Sequence, residues 1–172
     1  MRCGTCGEEM VERRTTTEAP YAYTLSGLPV VLSGIRLCRC GVCGEEMPII
    51  PRIEELHDAI AEMVVKKAGH LTGDEIRFLR KHAGYPAKAF AKLLSLDASH
   101  LSRVENGHTT SLGKQADILA RAIVIATTRV GDAAREVFLE VARKSGKKEQ
   151  KTTRYTQHPL FSLDKQGWKA AA

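Results

Sequence analysis

The chain has 172 residues and a formal net charge of +6, which leaves room for one domain or two small ones. No apolar run approaches the roughly 20 residues that a bilayer requires, so the sequence argues against a membrane-spanning helix. Residues 71–145 carry twelve basic and eight acidic side chains, and residues 146–172 carry six and two. The positive charge therefore lies in the second half, which predicts a polyanionic partner there.

The first feature along the chain is an octapeptide, Cys3–Met10, which recurs as Cys40–Met47 with Thr5 replaced by Val42. Each copy is a Cys-x-x-Cys turn followed by a glycine, which can adopt positive φ and bring backbone N–H groups near the sulfurs. Two such turns can place four thiolates about 2.3 Å from one ion, as in structural zinc sites. The duplication predicts one structural Zn²⁺ per chain, with the ligands Cys3, Cys6, Cys40 and Cys43.

The other cysteine, Cys38, is out of register with Cys3 when the octapeptides are aligned, and we predict that it is a buried strand residue. Two disulfides are an alternative for the paired cysteines. Adjacent Cys-x-x-Cys pairs with no secretory leader favour reduced thiols and a cytoplasmic location instead.

Iron in a rubredoxin-like electron carrier is a second alternative. Residues 1–46 contain only Tyr21 and Tyr23 as aromatics, whereas rubredoxin-like domains use an aromatic core. A closed four-sulfur shell also argues against a catalytic zinc, because it leaves no position for water or substrate.

Short β segments are predicted at 21–25, 28–32 and 35–40, where Ser-Gly pairs separate apolar runs. Pro48 and Pro51 are predicted to end this β module, which we place at residues 1–47. A linker helix is predicted within 48–70, because apolar residues fall at helical spacing from Arg52 to about Lys67. The linker helix could connect two domains, pack across a dimer or pack on the domain that follows.

Five helices are predicted in residues 71–144. The first follows a capping box formed by Thr72 and Glu75, the second starts near Pro86, and the third spans 98–105 after Asp97. The fourth spans 114–129, and the fifth runs from about 131 to 143. The predicted apolar face of the fourth helix consists of Ala116, Leu119, Ala122, Ile123 and Ala126. Residues 145–172 have the composition of a flexible basic tail, although their apolar residues, including Trp168, could bind a partner or dock on the body.

The tight connection Ser95-Leu96-Asp97 between the second and third of these helices is typical of a helix-turn-helix, and Ala91 allows the two helices to cross closely. The segment Leu101–Gly107 resembles the recognition helix and following turn of the Cro/phage-repressor family, and the resemblance covers roughly residues 74–126. It implies that the helix at 98–105 lies in the major groove of double-stranded DNA.

In that geometry Ser99, His100 and Arg103 lie at the base edges, and Arg103 is placed for a bidentate contact with guanine. The alternative for Arg103 is an ion pair with a neighbouring carboxylate. Six side chains are predicted to contact phosphates: Lys88, Lys92, Asn106, His108, Thr109 and Thr110. Ala87 stands where relatives usually carry a glutamine, so one polar anchor to DNA is missing.

Together these elements predict a small α+β protein. An N-terminal zinc-bound antiparallel β module would be followed by an all-α, five-helix helix-turn-helix domain. A two-turn zinc module, a linking helix and a Cro-like helix-turn-helix, in that order, resemble the MqsA-type (YgiT-like) antitoxin family over about residues 1–130.

That resemblance implies a homodimer that binds a palindromic operator in its own promoter. It also implies a cognate toxin, usually an mRNA-cleaving ribonuclease, which the zinc module holds. The alternative is a zinc-containing helix-turn-helix regulator with no toxin partner. No enzyme is predicted, because the histidines are dispersed and no phosphate-cradling glycine loop is present.

Overall fold

The structure is a computed structural model that describes residues 1–129, 132–144 and 158–171. It shows a small α+β fold. The described residues form these elements, in chain order: β1 (Met10–Arg14), β2 (Tyr21–Tyr23), β3 (Val30–Ser33), β4 (Arg36–Cys40), β5 (Glu46–Ile49), α1 (Ile53–Lys66), α2 (Gly73–His82), α3 (Ala87–Leu93), α4 (Ala98–Glu105), α5 (Lys114–Thr127), α6 (Asp132–Lys144), β6 (Leu160–Leu163) and β7 (Trp168–Ala170).

The chain divides into two compact units. The N-terminal unit comprises residues 1–24, 29–56 and 157–172, and the helical unit comprises residues 25–28 and 57–156. The unit boundary therefore differs from the predicted module at 1–47, because the first unit also takes in the start of α1 and the C-terminal strands. Among the described residues, no helix has the length and apolar character needed to cross a bilayer.

The N-terminal unit contains two sheets. One is antiparallel in the order β1-β4-β5, with Met10 opposite Cys40 and Cys38 opposite Met47. The other has the order β2-β3-β6-β7, in which β3 and β6 run parallel and the outer pairs run antiparallel. The strand pairs formed by the described residues 1–49 are antiparallel, as predicted for the module. The parallel pair arises because β6, from the C-terminal part of the chain, joins β3.

The C-terminal residues 158–171 are not a flexible tail, which corrects the prediction for that part of the chain. They form the hairpin β6–β7, in which the Phe161 side chain is fully buried. The indole Nε1 of Trp168 donates to the backbone oxygen of Pro51 at 3.0 Å. The alternative left open for this segment, that its apolar residues dock on the body, is therefore the one observed for residues 158–171. Basic composition alone favoured a flexible tail. The rest of the predicted tail, 145–157, lies outside the described residues.

Pro48 does not end the β module, because it lies within β5 opposite Leu37 of β4. β5 is an edge strand, and proline is tolerated at an edge because the missing N–H is not required by a neighbouring strand. The predicted β segments correspond to β2, β3 and β4. The edge strand β1 was missed because four of its five residues are exposed and most of them are charged.

The helical unit takes in α1 from His57 onward. Ile60, Val64 and Val65 of α1 are fully buried, and the ring centroids of His57 in α1 and Phe78 in α2 are 6.0 Å apart. α1 therefore packs against a following helix, and it also runs from the N-terminal unit into the helical unit. Packing across a dimer, the third role left open for the predicted linker helix, stays a prediction. The guanidinium of Arg121 in α5 donates to the carbonyl oxygens at the end of α1, on Val65 (3.0 Å), Lys67 (2.6 Å) and Gly69 (2.6 Å). These bonds satisfy carbonyl groups that a helix end leaves without partners.

The predicted capping box is present at the start of α2. Thr72 N–H donates to the Glu75 carboxylate at 2.6 Å, and Glu75 N–H donates to the Thr72 hydroxyl at 3.3 Å. Gly84, at φ 76°, follows the end of this helix, as a left-handed position after a helix favours glycine.

The predicted apolar face of α5 is correct at Ala116 and wrong for the rest of the helix, where Ala122 and Ile123 are only half-buried. Leu119 is 39% exposed and Ala126 is exposed, whereas the buried residues are Ala116, Asp117, Ala120, Arg121, Val124 and Ile125. Asp117 and Arg121 form a buried ion pair at 2.8 Å. A prediction from hydrophobic periodicity places charged residues on the solvent-exposed side of a helix. The predicted face therefore excluded Asp117 and Arg121, although both are buried.

Candidate metal centre and nucleic-acid interface

The two octapeptides fold into the same turn. Cys3 N–H donates to the Glu8 oxygen at 2.8 Å, and Cys40 N–H donates to the Glu45 oxygen at 2.9 Å. The glycines that follow the second cysteines, Gly7 and Gly44, adopt φ of 81° and 76°. Each donates its N–H to the oxygen of the first cysteine of its turn, at 2.9 Å and 3.1 Å. The positive φ predicted for these glycines is confirmed, and the sequence repeat is a structural repeat.

These turns bring four sulfurs together. The Sγ atoms of Cys3, Cys6, Cys40 and Cys43 all lie within 4.8 Å of one another. Cys3 and Cys43 are 3.5 Å apart, Cys6 and Cys40 are 3.4 Å apart, and Cys6 and Cys43 are 3.5 Å apart. A tetrahedral site with metal–sulfur bonds of about 2.3 Å has sulfur–sulfur edges of about 3.8 Å. The four predicted ligands therefore form a cluster that could coordinate one metal ion.

Cys38 is not a member of this cluster. It is a buried residue of β4, 2% exposed, and belongs to the same small core as Met10 and Cys40. Its predicted role as a small buried strand residue is confirmed.

Backbone N–H groups around the first cysteine of each turn favour thiolates. Donation from Cys6 and Thr5 lowers the pKa of Cys3, and donation from Cys43 and Val42 lowers the pKa of Cys40 to about 6. Each second cysteine also accepts a pKa-lowering backbone N–H, from Glu8 at Cys6 and from Glu45 at Cys43.

At Cys6 the sulfur of Cys40 and desolvation raise the pKa against that donation, and at Cys43 the sulfur of Cys3 and desolvation do so. The pKa of Cys6 is raised, and the pKa of Cys43 is raised to about 12. Four thiolates repel one another at such short separations, and a divalent cation offsets that repulsion. The donor set of four soft sulfurs suits zinc or iron.

The second candidate site is the pair α3 and α4. A short turn joins the two helices, with Leu96 N–H donating to the Ala91 oxygen at 2.9 Å. Ser95 in this turn has φ of 55°, a left-handed conformation that non-glycine residues rarely adopt. Ala91 is 1% exposed, which agrees with its predicted place between the two helices.

A buried ion pair holds α4 against α2. The Glu105 carboxylate accepts two bonds from the Arg80 guanidinium, at 2.7 Å and 2.9 Å, and the same guanidinium donates to the Tyr85 oxygen at 3.0 Å. The bond to Glu105 raises the pKa of Arg80. Arg77 of α2 also donates to the Glu105 backbone oxygen. The end of α4 is therefore bonded to α2 through both side chain and backbone.

Gly73 allows α2 and α4 to approach closely. A β-carbon at this position would lie 2.0 Å from the Val104 oxygen and 3.2 Å from the Glu105 Cα. No side chain larger than hydrogen fits there without moving a backbone segment. Gly73 therefore sets the separation of the two helices.

Most of the predicted DNA-contacting side chains are at the surface. The exposed ones are Ser99, Arg103, Lys88, Lys92, Asn106, His108 and Thr110, whereas His100 and Thr109 are half-buried. In the described part of the chain, Arg103 has no carboxylate within ion-pair distance. The alternative of an ion pair for Arg103 therefore has no support among the described residues.

Asn106 is bonded within the protein. Its amide oxygen accepts from Arg77 at 2.7 Å, and its amide nitrogen donates to the Ser102 hydroxyl at 3.2 Å. Asp97 occupies the N-cap position of α4 as predicted, but its side chain makes no capping hydrogen bond.

The residues that hold α4 in place were missed at the sequence level. Glu105 lies four residues after Leu101 and next to Val104, and all three are on the buried face of α4. A carboxylate on an apolar face indicates a buried basic partner, and that signal could have pointed to Arg80. No signal in the sequence singled out Gly73, because close approach depends on two helices that are distant along the chain.

No family model, curated protein or solved structure gave a significant match to this chain.

Proposed function

We propose that this protein is a sequence-specific DNA-binding transcription regulator, with a structural Zn²⁺ in its N-terminal unit and no catalytic activity. The observation that carries the proposal is the contrast among arginines around α4. Arg77 and Arg80 are bonded to Glu105, whereas Arg103 is exposed and has no carboxylate partner among the described residues. An exposed arginine with no carboxylate partner in the described part of the chain, on a helix bonded to its neighbour, suits base recognition.

The geometry suits a helix placed in the major groove. Ser99 and Arg103 are four residues apart and lie on one exposed face of α4. Lys88 and Lys92 have the same spacing on α3 and are both exposed. Basic side chains on the neighbouring helix would contact phosphates and fix the position of α4, while Arg103 reads guanine O6 and N7.

The direct test uses Arg103→Ala against Arg143→Ala, which removes an exposed arginine of α6. Both variants and the wild type are incubated with a random duplex library, and the bound sequences are determined. We expect Arg103→Ala to relax selection at one base position, worth about 1–3 kcal/mol of discrimination, and Arg143→Ala to select as the wild type does. Unchanged selection by Arg103→Ala would contradict the proposal.

Lys88→Ala and Lys92→Ala test the phosphate contacts. Each should weaken binding to selected and unselected duplexes equally and reduce the salt-dependence slope by about 0.9. A loss confined to the selected duplex would mean that the lysine reads bases.

The metal part of the proposal is tested by elemental analysis of protein purified from its natural source. We expect one zinc per chain and no visible absorption. Iron with a visible thiolate charge-transfer band would support the rubredoxin-like alternative and contradict the zinc proposal.

The resemblance stated above extends the proposal to an antitoxin: a homodimer that represses its own promoter at a palindromic operator and binds a cognate toxin. Co-purification from the native host tests that extension, with mass spectrometry of the proteins retained. A small ribonuclease in stoichiometric amount would support it. A regulator purified without a protein partner would favour the simpler zinc-containing transcription regulator.

A further inference from the structure

The sheet β2-β3-β6-β7 is assembled from both ends of the chain. β6 pairs with β3 in parallel, with Leu32 opposite Phe161, and Val31 N–H donates to the Pro159 oxygen at 3.0 Å. Without β6, the outer edge of β3 would present unpaired backbone groups. Such an edge readily accepts an added strand.

The C-terminal hairpin β6–β7 makes its own turn. The Asp164 carboxylate accepts from Gln166 N–H at 2.7 Å and from Gly167 N–H at 2.9 Å, and it forms an ion pair with Lys169 at 2.9 Å. Ala171 N–H donates to the Leu160 oxygen at 2.8 Å. These contacts are local to residues 158–171, so the same conformation is accessible to a separate peptide of this sequence.

The hairpin is anchored in the N-terminal unit by two buried side chains. Phe161 is fully buried and Trp168 is 7% exposed, with the indole bonded to the Pro51 oxygen. The Arg52 guanidinium donates to the backbone oxygen of Asp164 at 3.2 Å. Burial of the two aromatic side chains gives the hairpin most of its binding energy.

The hairpin also contacts the short segment between β3 and β4, and β4 contains Cys40 of the sulfur cluster. A β-carbon at Gly34 would lie 2.7 Å from the Leu163 oxygen. Gly34 lies directly between β3 and β4, and β4 ends at Cys40. The hairpin therefore packs against the backbone that positions half of the cysteine cluster.

We propose that the edge of β3 is a strand-accepting surface whose ligand is the protein's own C-terminal hairpin, and that occupancy of this edge controls how tightly the cysteine cluster retains its metal. The surface takes an extended segment with the pattern apolar–Phe–polar–apolar, as in Leu160–Leu163. The hairpin is a transferable ligand, so it binds equally when supplied as a separate peptide. The proposal depends on a metal in the cysteine cluster and does not depend on DNA binding.

The test compares the full chain with a variant that ends at residue 157, and it measures the half-time of metal transfer to a chromogenic chelator at neutral pH. We expect release from the shortened variant to be at least tenfold faster. A peptide of residues 158–172 should restore the slow rate, and the same peptide with Phe161→Ala should not. The peptide contains the only tryptophan of the sequence, so its fluorescence anisotropy reports binding without background.

A full-length pair of variants guards against misfolding of the shortened chain. Gly34 and Gly27 both have positive φ, at 79° and 73°, but a β-carbon at Gly27 meets nothing within 4 Å. Gly34→Ala should release metal faster than Gly27→Ala, because only the former collides with the hairpin.

Equal release from the full and shortened chains would overturn the proposal, as would equal release from the two glycine variants or no peptide binding to the shortened chain. The metal content of the full chain is measured first. A full chain that purifies without metal would contradict the zinc proposal instead, so the two failures are distinguishable.

Discussion

The two units differ in where their charged side chains are paired. In the N-terminal unit the charged pairs are at the surface, as in Arg36–Glu12 at 3.6 Å. The four clustered sulfurs come from the two octapeptide turns. In the helical unit Arg121–Asp117 and Arg80–Glu105 are buried ion pairs, whereas Lys66–Glu62 and Arg77–Asp74 are partly exposed. We expect the small β unit to draw part of its folding energy from a metal held by the cysteine cluster, whereas the described residues of the helical unit contain no such cluster. The two units should therefore respond to different perturbations.

The largest expected effect is that of metal removal on the N-terminal unit alone. A strong chelator should unfold the β sheets and leave the helices in place, because the described helices other than the start of α1 belong to the helical unit. Trp168 is the single tryptophan and lies in the N-terminal unit. Chelation should therefore shift tryptophan emission to longer wavelength, while the circular dichroism at 222 nm remains largely unchanged.

Cys40→Ser and Cys38→Ser form the matched control for that prediction. Both cysteines are buried in β4, but only Cys40 belongs to the sulfur cluster. Cys40→Ser should reproduce the chelator effect, and Cys38→Ser should keep the metal. Loss of metal from both variants in equal degree would mean that the ligand assignment is wrong.

The second prediction concerns the buried charge of the helical unit. Arg121→Met removes the guanidinium that bonds to Asp117 and to three carbonyl oxygens near the end of α1. We expect a loss of about 3–5 kcal/mol in the free energy of unfolding, because the buried Asp117 carboxylate loses its guanidinium partner and keeps the Leu71 N–H at 2.6 Å and His70 at 3.7 Å. Denaturant unfolding followed at 222 nm measures it, and metal content should stay at the wild-type level.

Arg103→Met provides the control, because it removes an exposed arginine from the same unit. Its effect on unfolding should lie within about 0.5 kcal/mol. Equal stability of the two arginine variants would mean that the bonds of Arg121 to Asp117 and to the end of α1 do not stabilise the helical unit.

The third prediction concerns the separation of α2 and α4. Gly73→Ala places a β-carbon 2.0 Å from the Val104 oxygen, so the two helices must move apart. We expect a destabilisation of about 1–3 kcal/mol, the range for overpacking, together with weaker binding to the selected duplex. Gly41→Ala is the control, because a β-carbon at Gly41 meets nothing within 4 Å and its φ is not positive. Wild-type DNA affinity in a destabilised Gly73→Ala would show that the position of α4 does not matter for binding.

The smallest expected effect is a gain in stability at the turn between α3 and α4. Ser95 has φ of 55°, a conformation that costs a non-glycine residue about 1–2 kcal/mol. Ser95→Gly should therefore raise the free energy of unfolding by up to about 1 kcal/mol, because glycine's greater flexibility in the unfolded chain offsets part of the gain. Ser99→Gly, within α4, should lower it. Thermal unfolding at 222 nm compares the two, and a loss of stability in Ser95→Gly would contradict the strain inferred at this turn.

Local structures that depend only on residues close together in the chain could be predicted from the sequence. The capping box of Thr72 and Glu75 lies within four positions, and each cysteine turn lies within the eight residues of its octapeptide. The bounds of α4 were predicted as observed, because Asp97 and Asn106 mark its ends. The buried face of α5 and the strand β1 were not predictable in the same way. Their burial and pairing depend on Arg121 reaching the end of α1 and on β4 lying alongside β1.

The sequence by itself determined the four clustered cysteines and the exclusion of Cys38, because the duplicated octapeptide carries both ligands and turn within each copy. It also determined which helix presents Arg103. Only the tertiary structure decided that residues 158–171 complete the sheet of the N-terminal unit, and that Glu105 and Gly73 hold α4 against α2. Those contacts join segments far apart in the chain, and their partners are selected by packing and backbone pairing, which local patterns do not encode.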